Sequence, residues 1–408
     1  MLEEYKQWYS RLSGYEKWFI VLVLTRPILD MFYFLKHVSI LLSPLYIIGV
    51  LTPIIILVSL ISRKRVGRTP RGQSVFFGVI LLASLNLVVY GFQAGISTNS
   101  IQLVLKVVTV YMLILYFTKY LNTEEDLMRI MQTVFVSCFF PVLMLLYEAA
   151  AGPVGEVQYS RGVSRIQGLY ADAVSYGMYT VIFMISGLYL NIKSGRKLIN
   201  RVAVLIFIVV VISLMSINHV ATMAVSSVVT LLYFTQRKRA VGFIAVALAL
   251  IITIIASIEE DSVGYNVMLS REMEILEGGR PIEQGLHGRV DRWIGYNYIW
   301  SELGPLSQLF GVSFEIEPEQ FPGWVLGGVH SDYLRQLYLT GIIGLILYAI
   351  YIFSLLSSSG MTSPPERFLS RGIIFVIVLY SVTTIPSLYP PIVYFYAPVF
   401  GYLMIRKH

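Results

Sequence analysis

Apolar runs long enough to cross a bilayer recur along the whole chain, with only short polar connections between most of them. A transmembrane helix needs roughly 20 mostly apolar residues. Such runs begin near Lys17, Ile40, Ser74, Ile101, Met131, Ala171, Val202, His219, Ala240, Ser331, Gly372 and Pro391. Charged residues are 13% of the 408, where a soluble domain carries about 25%, so too few charges remain to cover a water-facing surface. The expected architecture is all-α: a single polytopic membrane domain over 1–408 with about 12 transmembrane helices.

Lys and Arg in the short loops set the orientation. The basic stretches 63–71, 193–197, 236–239 and 406–408 fall on alternate connections, so they share one side, expected to be the cytoplasm. Both termini then lie inside, while 93–100, 151–170 and 259–330 lie outside. The formal charge of +7 is spread over these loops and is explained by topology, which argues against nucleic acid as a partner. The first ~16 residues lack a signal-peptide cleavage pattern and read as an interfacial lead-in to the first span. Cys138 is the single cysteine, which excludes an intramolecular disulfide and a cysteine-based metal site.

The large extracytoplasmic loop, 259–330, is acidic, with Arg271, Arg280, Arg289 and Arg292 as its only Arg or Lys. Within it, 289–302 reads as an amphipathic helix. Arg289, Trp293, Tyr296 and Trp300 recur on one face, and aromatics at that depth are expected along the headgroup layer.

A charge inside lipid is costly and normally faces a partner or a cavity. Arg26 and Asp30 stand at i,i+4 in the first span and are placed to pair. Lys106 lies one to two turns inside the fourth span; it either snorkels or points at an anionic substrate. Arg161 and Arg165 oppose the usual charge bias of an outer loop, so topology does not account for them. Asp172 opens the sixth span and either caps it or pairs with Arg165. His330 follows two glycines at the start of the tenth span, where a helix N-terminus favours neutral imidazole, the form that accepts a proton. Asp332 and Arg335 form an i,i+3 pair, and His219 is a weaker candidate at an outer turn. Arginine binds diphosphate with a fixed, permanently charged fork. The sequence has no carboxylate spacing for a divalent ion, no P-loop and no Ser-His-Asp signature.

Three segments resemble the O-antigen ligase and polymerase superfamily of membrane glycosyltransferases. The first runs from Arg165 to Gly168 (RIQG) and opens into a span. The second runs from Gly288 to Trp293 (GRVDRW), followed by GPLSQLFG at 304–311. The third runs from His330 to Leu334 (HSDYL), followed by Gly341 and Gly344. The resemblance implies a GT-C-like helical fold, a polyprenyl-diphosphate-linked oligosaccharide donor, a glycan acceptor and cofactor-free, metal-independent transfer on the periplasmic side of the cytoplasmic membrane. It also implies that Arg165 and Arg289 bind the diphosphate, with Arg161 and Arg292 as further candidates, and that His330 serves the acceptor hydroxyl. His219, Asp332, Lys106 and Asp172 are accessory candidates. The chain departs from the family at 216–220 (SINHV), where many members carry a Ser-Arg-Gly-like turn, and at 171–173 (ADA), where they carry an Asn-Pro-Asn-like segment.

A likeness of TRPILD (25–30) and HSDYL to exopolysaccharide polymerases favours a polymerase over a ligase that transfers glycan to a lipid A-core or other acceptor. Flippase and chain-length-regulator proteins are the candidate partners. A lipid-linked glycan transporter is the rival of another class. It needs polar groups along the midplane and often repeated halves, whereas the sequence shows Arg26, Asp30 and Lys106 and no repeat.

Overall fold

The computed structural model describes residues 2–39, 43–62, 73–94, 98–154, 157–160, 163–194, 220–235, 274, 277–279, 281, 285–311, 331–388 and 390–405. The chain begins with α1 (Leu2–Arg11) and α2 (Gly14–Asp30). Ser13 and Glu16 form a reciprocal capping box that starts α2 by satisfying two of its orphan N–H groups. A 3-10 turn at Met31–Phe34 and the short α3 (Leu35–Val38) extend α2. Next come α4 (Pro44–Ser62), α5 (Gln73–Ala94) and α6 (Thr98–Tyr120). A second capping box, Thr123 with Asp126, starts α7 (Glu124–Ser137), and α8 (Phe139–Ala151) follows after a break at Cys138.

The one sheet among the described residues is an antiparallel hairpin, β1 (Val157–Ser160) and β2 (Val163–Ile166), in which Gln158 stands opposite Arg165. The chain continues with α9 (Ala173–Ser194), α10 (Val220–Thr235), α11 (Gly285–Ser301) and α12 (Pro305–Phe310). It ends with α13 (Asp332–Gly360), α14 (Pro364–Thr383) and α15 (Pro390–Met404).

Among the described residues, four stretches are long and apolar enough to cross a membrane: Pro44–Ser62, Glu124–Glu148, Ala173–Ser194 and Asp332–Gly360. The protein is a helical, membrane-embedded chain. Helices overlie the expected span starts at Lys17, Ser74, Ile101, Met131, Gly372 and Pro391, and α9 and α13 begin just after those at Ala171 and Ser331; the starts at Ile40, Val202, His219 and Ala240 lie outside the described residues. Two starts move. The span expected from Met131 begins at Glu124, and the one expected from Gly372 begins at Pro364, because a capping box and an N1 proline start each helix before its apolar run.

Packing explains which helices are central. In α9, 89% of the apolar stretch is buried, against 22% in α4. Helix α9 accordingly turns polar groups inward, such as Ser186 and Asn191, while α4 exposes Val50, Ile54, Leu57 and Ile61, as a lipid-facing helix does. Helices α14 and α15 pack against both α9 and α13. Tyr380 on α14 hydrogen-bonds Thr222 on α10 at 2.7 Å.

One end of the bundle carries α1. The N-terminal segment is not a free interfacial lead-in. Trp8 is buried and donates to Asp126 at 2.8 Å, Tyr5 shares a hydrogen bond with Thr133 at 2.7 Å, and Arg129 reaches Glu4 at 3.2 Å. Burial raises the Tyr5 phenol pKa, partly offset by the Thr133 hydrogen bond. At the same end Lys193 bridges Glu124 at 3.2 Å and buried Glu366 at 2.5 Å. The opposite end, here the hairpin end, holds residues 152–154, β1 and β2, residues 167–172, α11, α12 and the start of α13.

Candidate functional site

The first motif segment is anchored by a carboxylate that sequence reasoning passed over. Glu148, near the end of α8, is almost fully buried. It accepts from the Val154 backbone N–H at 3.0 Å and from the Tyr176 hydroxyl at 2.9 Å. Gly168 closes the RIQG segment with φ +60, and a Cβ there would stand 2.7 Å from Met144 Cε and 3.4 Å from Glu148 Oε2. Glu148 therefore holds the chain just before the hairpin and adjoins it just after, which sets the position of β2 and of the Arg165 backbone. Asp172 accepts from the Ser175 N–H at 2.6 Å and from its hydroxyl at 2.8 Å, the geometry of a helix N-cap. Tyr170 is buried with its ring centroid 5.3 Å from those of Tyr176 and Tyr179; burial, with nearby Asp30, pushes its phenol pKa well up. Arg161 lies outside the described residues.

The second and third motif segments lock together. Helix α11 carries Arg289 and Arg292 on its backbone. Its Tyr296 carbonyl accepts from the Tyr338 hydroxyl of α13, and the Trp300 ring lies edge-on to Tyr338 at 5.6 Å. The aromatic face expected in the headgroup layer is instead the face turned to the protein: Tyr296 is buried, while Ile294 and Tyr298 are exposed.

Helix α12 continues this contact. Gly341, inside α13, has φ +64 and ψ −171, a region essentially restricted to glycine. A Cβ there would overlap the Leu309 carbonyl of α12. Gly311, at φ +116, presses against the Leu339 carbonyl. The GPLSQLFG and GIIG stretches are thus the two halves of one backbone-to-backbone contact. Gly341→Ala is expected to lower stability by about 2–4 kcal/mol, from backbone strain and overpacking. Thermal unfolding of purified protein checks this; an unchanged midpoint would show that the close approach is not real.

The start of α13 is fixed by the turn between α14 and α15. Asp332 is fully buried and accepts from the Ser387 N–H at 3.0 Å and hydroxyl at 2.8 Å, and Ser331 donates to the Ser381 carbonyl at 3.1 Å. Arg335 lies 3.8 Å from Asp332, a loose version of the expected pair, because Ser387 already occupies the carboxylate. Arg335 also lines a cavity of about 30 Å³ with Gln336 and Tyr351, and among the described residues Arg335 Nε and the Tyr351 hydroxyl have no hydrogen-bond partner. His330 and His219 lie outside the described residues. Lys106 is on an exposed face of α6. Among the described residues, no three His, Cys, Asp or Glu side chains converge as a metal site.

No family model matches this chain, and no curated protein matches it. The remaining buried charge is the Arg26–Asp30 pair, with Nε 2.9 Å from Oδ1. Asp30 also accepts from the Tyr179 hydroxyl, and Arg26 lies over the Tyr394 ring at 4.9 Å. The i,i+4 spacing announced the pair. Its tyrosine partners come from α9 and α15, too distant in sequence for any local signal. Glu148 did carry one: a single acidic residue at the end of an apolar run, just ahead of a loop with unexplained arginines.

Proposed function

We propose that the protein is a membrane glycosyltransferase of the polysaccharide polymerase kind, with about 12 spans and a GT-C-like fold. It transfers a glycan from a polyprenyl diphosphate to a sugar hydroxyl outside the cytoplasmic membrane. The observation that carries this reading is the lock between motif segments. The helix bearing Arg289 and Arg292 is held by Tyr296 on Tyr338, and α12 by Leu309 on Gly341, both on the helix that begins two residues after His330. This supports a common location for the motif segments toward the hairpin end, where β2 carries Arg165. The helix ends at Ser62, Ser194, Thr235 and Met404, after which the basic stretches follow in sequence, lie toward the α1 end, and the positive-inside bias then favours an outer hairpin end.

In this reaction the acceptor oxygen forms a bond to the anomeric carbon as the bond from that carbon to the diphosphate oxygen breaks. The bond's electron pair leaves with the diphosphate and the configuration inverts. Arg165 and Arg289 stabilise the charge gathering on the leaving group, where fixed cations contribute most. His330 takes the acceptor proton.

The test is transfer by purified protein in lipid nanodiscs, supplied with a polyprenyl-diphosphate oligosaccharide. Longer glycan on the lipid indicates a polymerase, and glycan moved to another lipid acceptor indicates a ligase. Movement of intact donor between leaflets without a new bond would indicate a transporter and end the enzymatic reading. Arg165→Lys and Arg289→Lys are each expected to lower the rate about 10²–10³-fold, because lysine keeps the charge and loses the planar fork. Near-normal turnover in both, at normal expression, would make them solvated loop charges.

A further inference from the structure

Helix α12 is inside-out. Its Ser307 is fully buried and Gln308 is turned partly inward, donating to the Trp300 carbonyl at 3.3 Å. Its outward positions are all apolar: Pro305, Leu306, Leu309 and Phe310, with Leu306 at 59% exposure. A helix facing water shows the opposite polarity, with charged or polar residues outward.

Two further observations say what covers this face. The first is its neighbours. Helix α12 packs against α13 at Gly341, and its Phe310 carbonyl accepts from Asn86 of α5 at 2.6 Å. Both neighbours expose continuous apolar rows: Phe77, Leu81, Leu85 and Val88 on α5, and Ile342, Ile346, Ile350 and Phe353 on α13. The row on α13 belongs to a helix long and apolar enough to cross a membrane. Helix α12 is joined to both row-bearing helices, through Gly341 of α13 and Asn86 of α5. Asn86 lies eight residues before the end of α5 at Ala94, about 12 Å along the helix at 1.5 Å per residue. That depth compares with a half-bilayer hydrocarbon layer of about 15 Å.

The second observation is the backbone. Polar main-chain groups in hydrocarbon must be satisfied by the protein. The Gln308 N–H bonds the Gly304 carbonyl at 3.0 Å and the Gly311 N–H bonds the Ser307 carbonyl at 2.8 Å. The Phe310 carbonyl, left over at the helix end, is taken by Asn86. A loop helix in water has no need of a buried asparagine for that carbonyl.

We propose that α12 is a membrane-inserted wedge whose Leu306, Leu309 and Phe310 contact the acyl chains of the leaflet at the hairpin end. It dips between α5 and α13 and pins α11, with Arg289 and Arg292, to that membrane surface. The occupant of this face is bilayer lipid, and the inference stands whether or not the protein is a glycosyltransferase.

The experiment uses the full chain in nanodiscs of phosphatidylcholine and phosphatidylglycerol, with single cysteines introduced by Leu306→Cys, Phe310→Cys, Ile346→Cys and Glu302→Cys. Native Cys138 is fully buried and serves as the background. A permanently charged methanethiosulfonate is expected to modify positions 306 and 310 about 10²-fold more slowly than exposed position 302, since placing a charge in hydrocarbon costs roughly 2.5–3.5 kcal/mol. A neutral bimane label at 306 and 310 should be quenched by lipids with brominated acyl chains as strongly as at 346. Fast modification at 306 would place the face in water. Slow modification without lipid quenching would place it under protein, such as a second copy of the chain. Either result overturns the proposal. Leu306 is at the far end of α12 from the Asn86 contact and decides the question alone if Phe310→Cys does not fold.

Discussion

Arg26→Leu is expected to be among the most destabilising single substitutions in the protein, at about 3–5 kcal/mol, the usual cost of removing one partner of a buried ion pair. Both members are almost inaccessible, at 2% and 4% exposure. Removing Arg26 leaves the Asp30 carboxylate with the Tyr179 hydroxyl alone. It also removes the cation over Tyr394, which bridges to Thr52 on α4 at 2.9 Å. The effect should therefore reach α2, α4, α9 and α15 together, as a lower unfolding midpoint and a smaller monodisperse fraction.

The double variant Arg26→Leu with Asp30→Leu should recover much of the loss, because replacing a whole buried pair by apolar residues is often neutral or stabilising. If the double variant is stable yet inactive, the pair serves function as well as stability. If Arg26→Leu alone is harmless, the pair is not buried in the working protein.

How much was legible in the sequence follows from the range of each signal. Membrane embedding and the positions of most helices are written in composition and in runs of 20 residues, a scale a single segment carries by itself. The Arg26–Asp30 and Asp332–Arg335 pairs were legible because i,i+4 and i,i+3 neighbours share a helix face. The glycines at 311 and 341 were legible as motif positions but not as contacts. Their φ values are set by the meeting of two backbones about 30 residues apart, and no local pattern encodes which carbonyl will stand there. For α11 the helical spacing of the aromatics was legible, but the neighbour they face was not. Periodicity reports that Trp293, Tyr296 and Trp300 share a side. Whether that side meets headgroups or Tyr338 depends on where α13 lies. The N-terminal helix shows the same limit: Tyr5 and Trp8 suit an interface by type, yet their partners Thr133 and Asp126 sit more than 100 residues away.

His330→Ala is expected to lower transfer by about 10²–10⁴-fold, the range for losing a positioned general base, with donor binding nearly intact. The separation follows from the proposed roles. Diphosphate contacts from Arg165 and Arg289 form with the bound donor and contribute to affinity. A base contributes mainly as the acceptor proton leaves, so its loss falls on turnover. Activity of the parent protein should also fall as pH drops through the imidazole range, near ~6.5 for an ordinary histidine, because the protonated ring has no lone pair to accept the proton. That limb of the profile should be missing from the residual activity of His330→Ala. The neighbours supply the control. Ser331 and Asp332 are tied to Ser381 and Ser387, so Asp332→Asn is expected to cost stability first and activity in proportion to the folded fraction. Measuring donor affinity, unfolding midpoint and turnover on one preparation of each variant separates the two behaviours. Turnover that survives in His330→Ala, or donor binding that collapses together with its stability, would remove His330 as the base and make His219 the next residue to test.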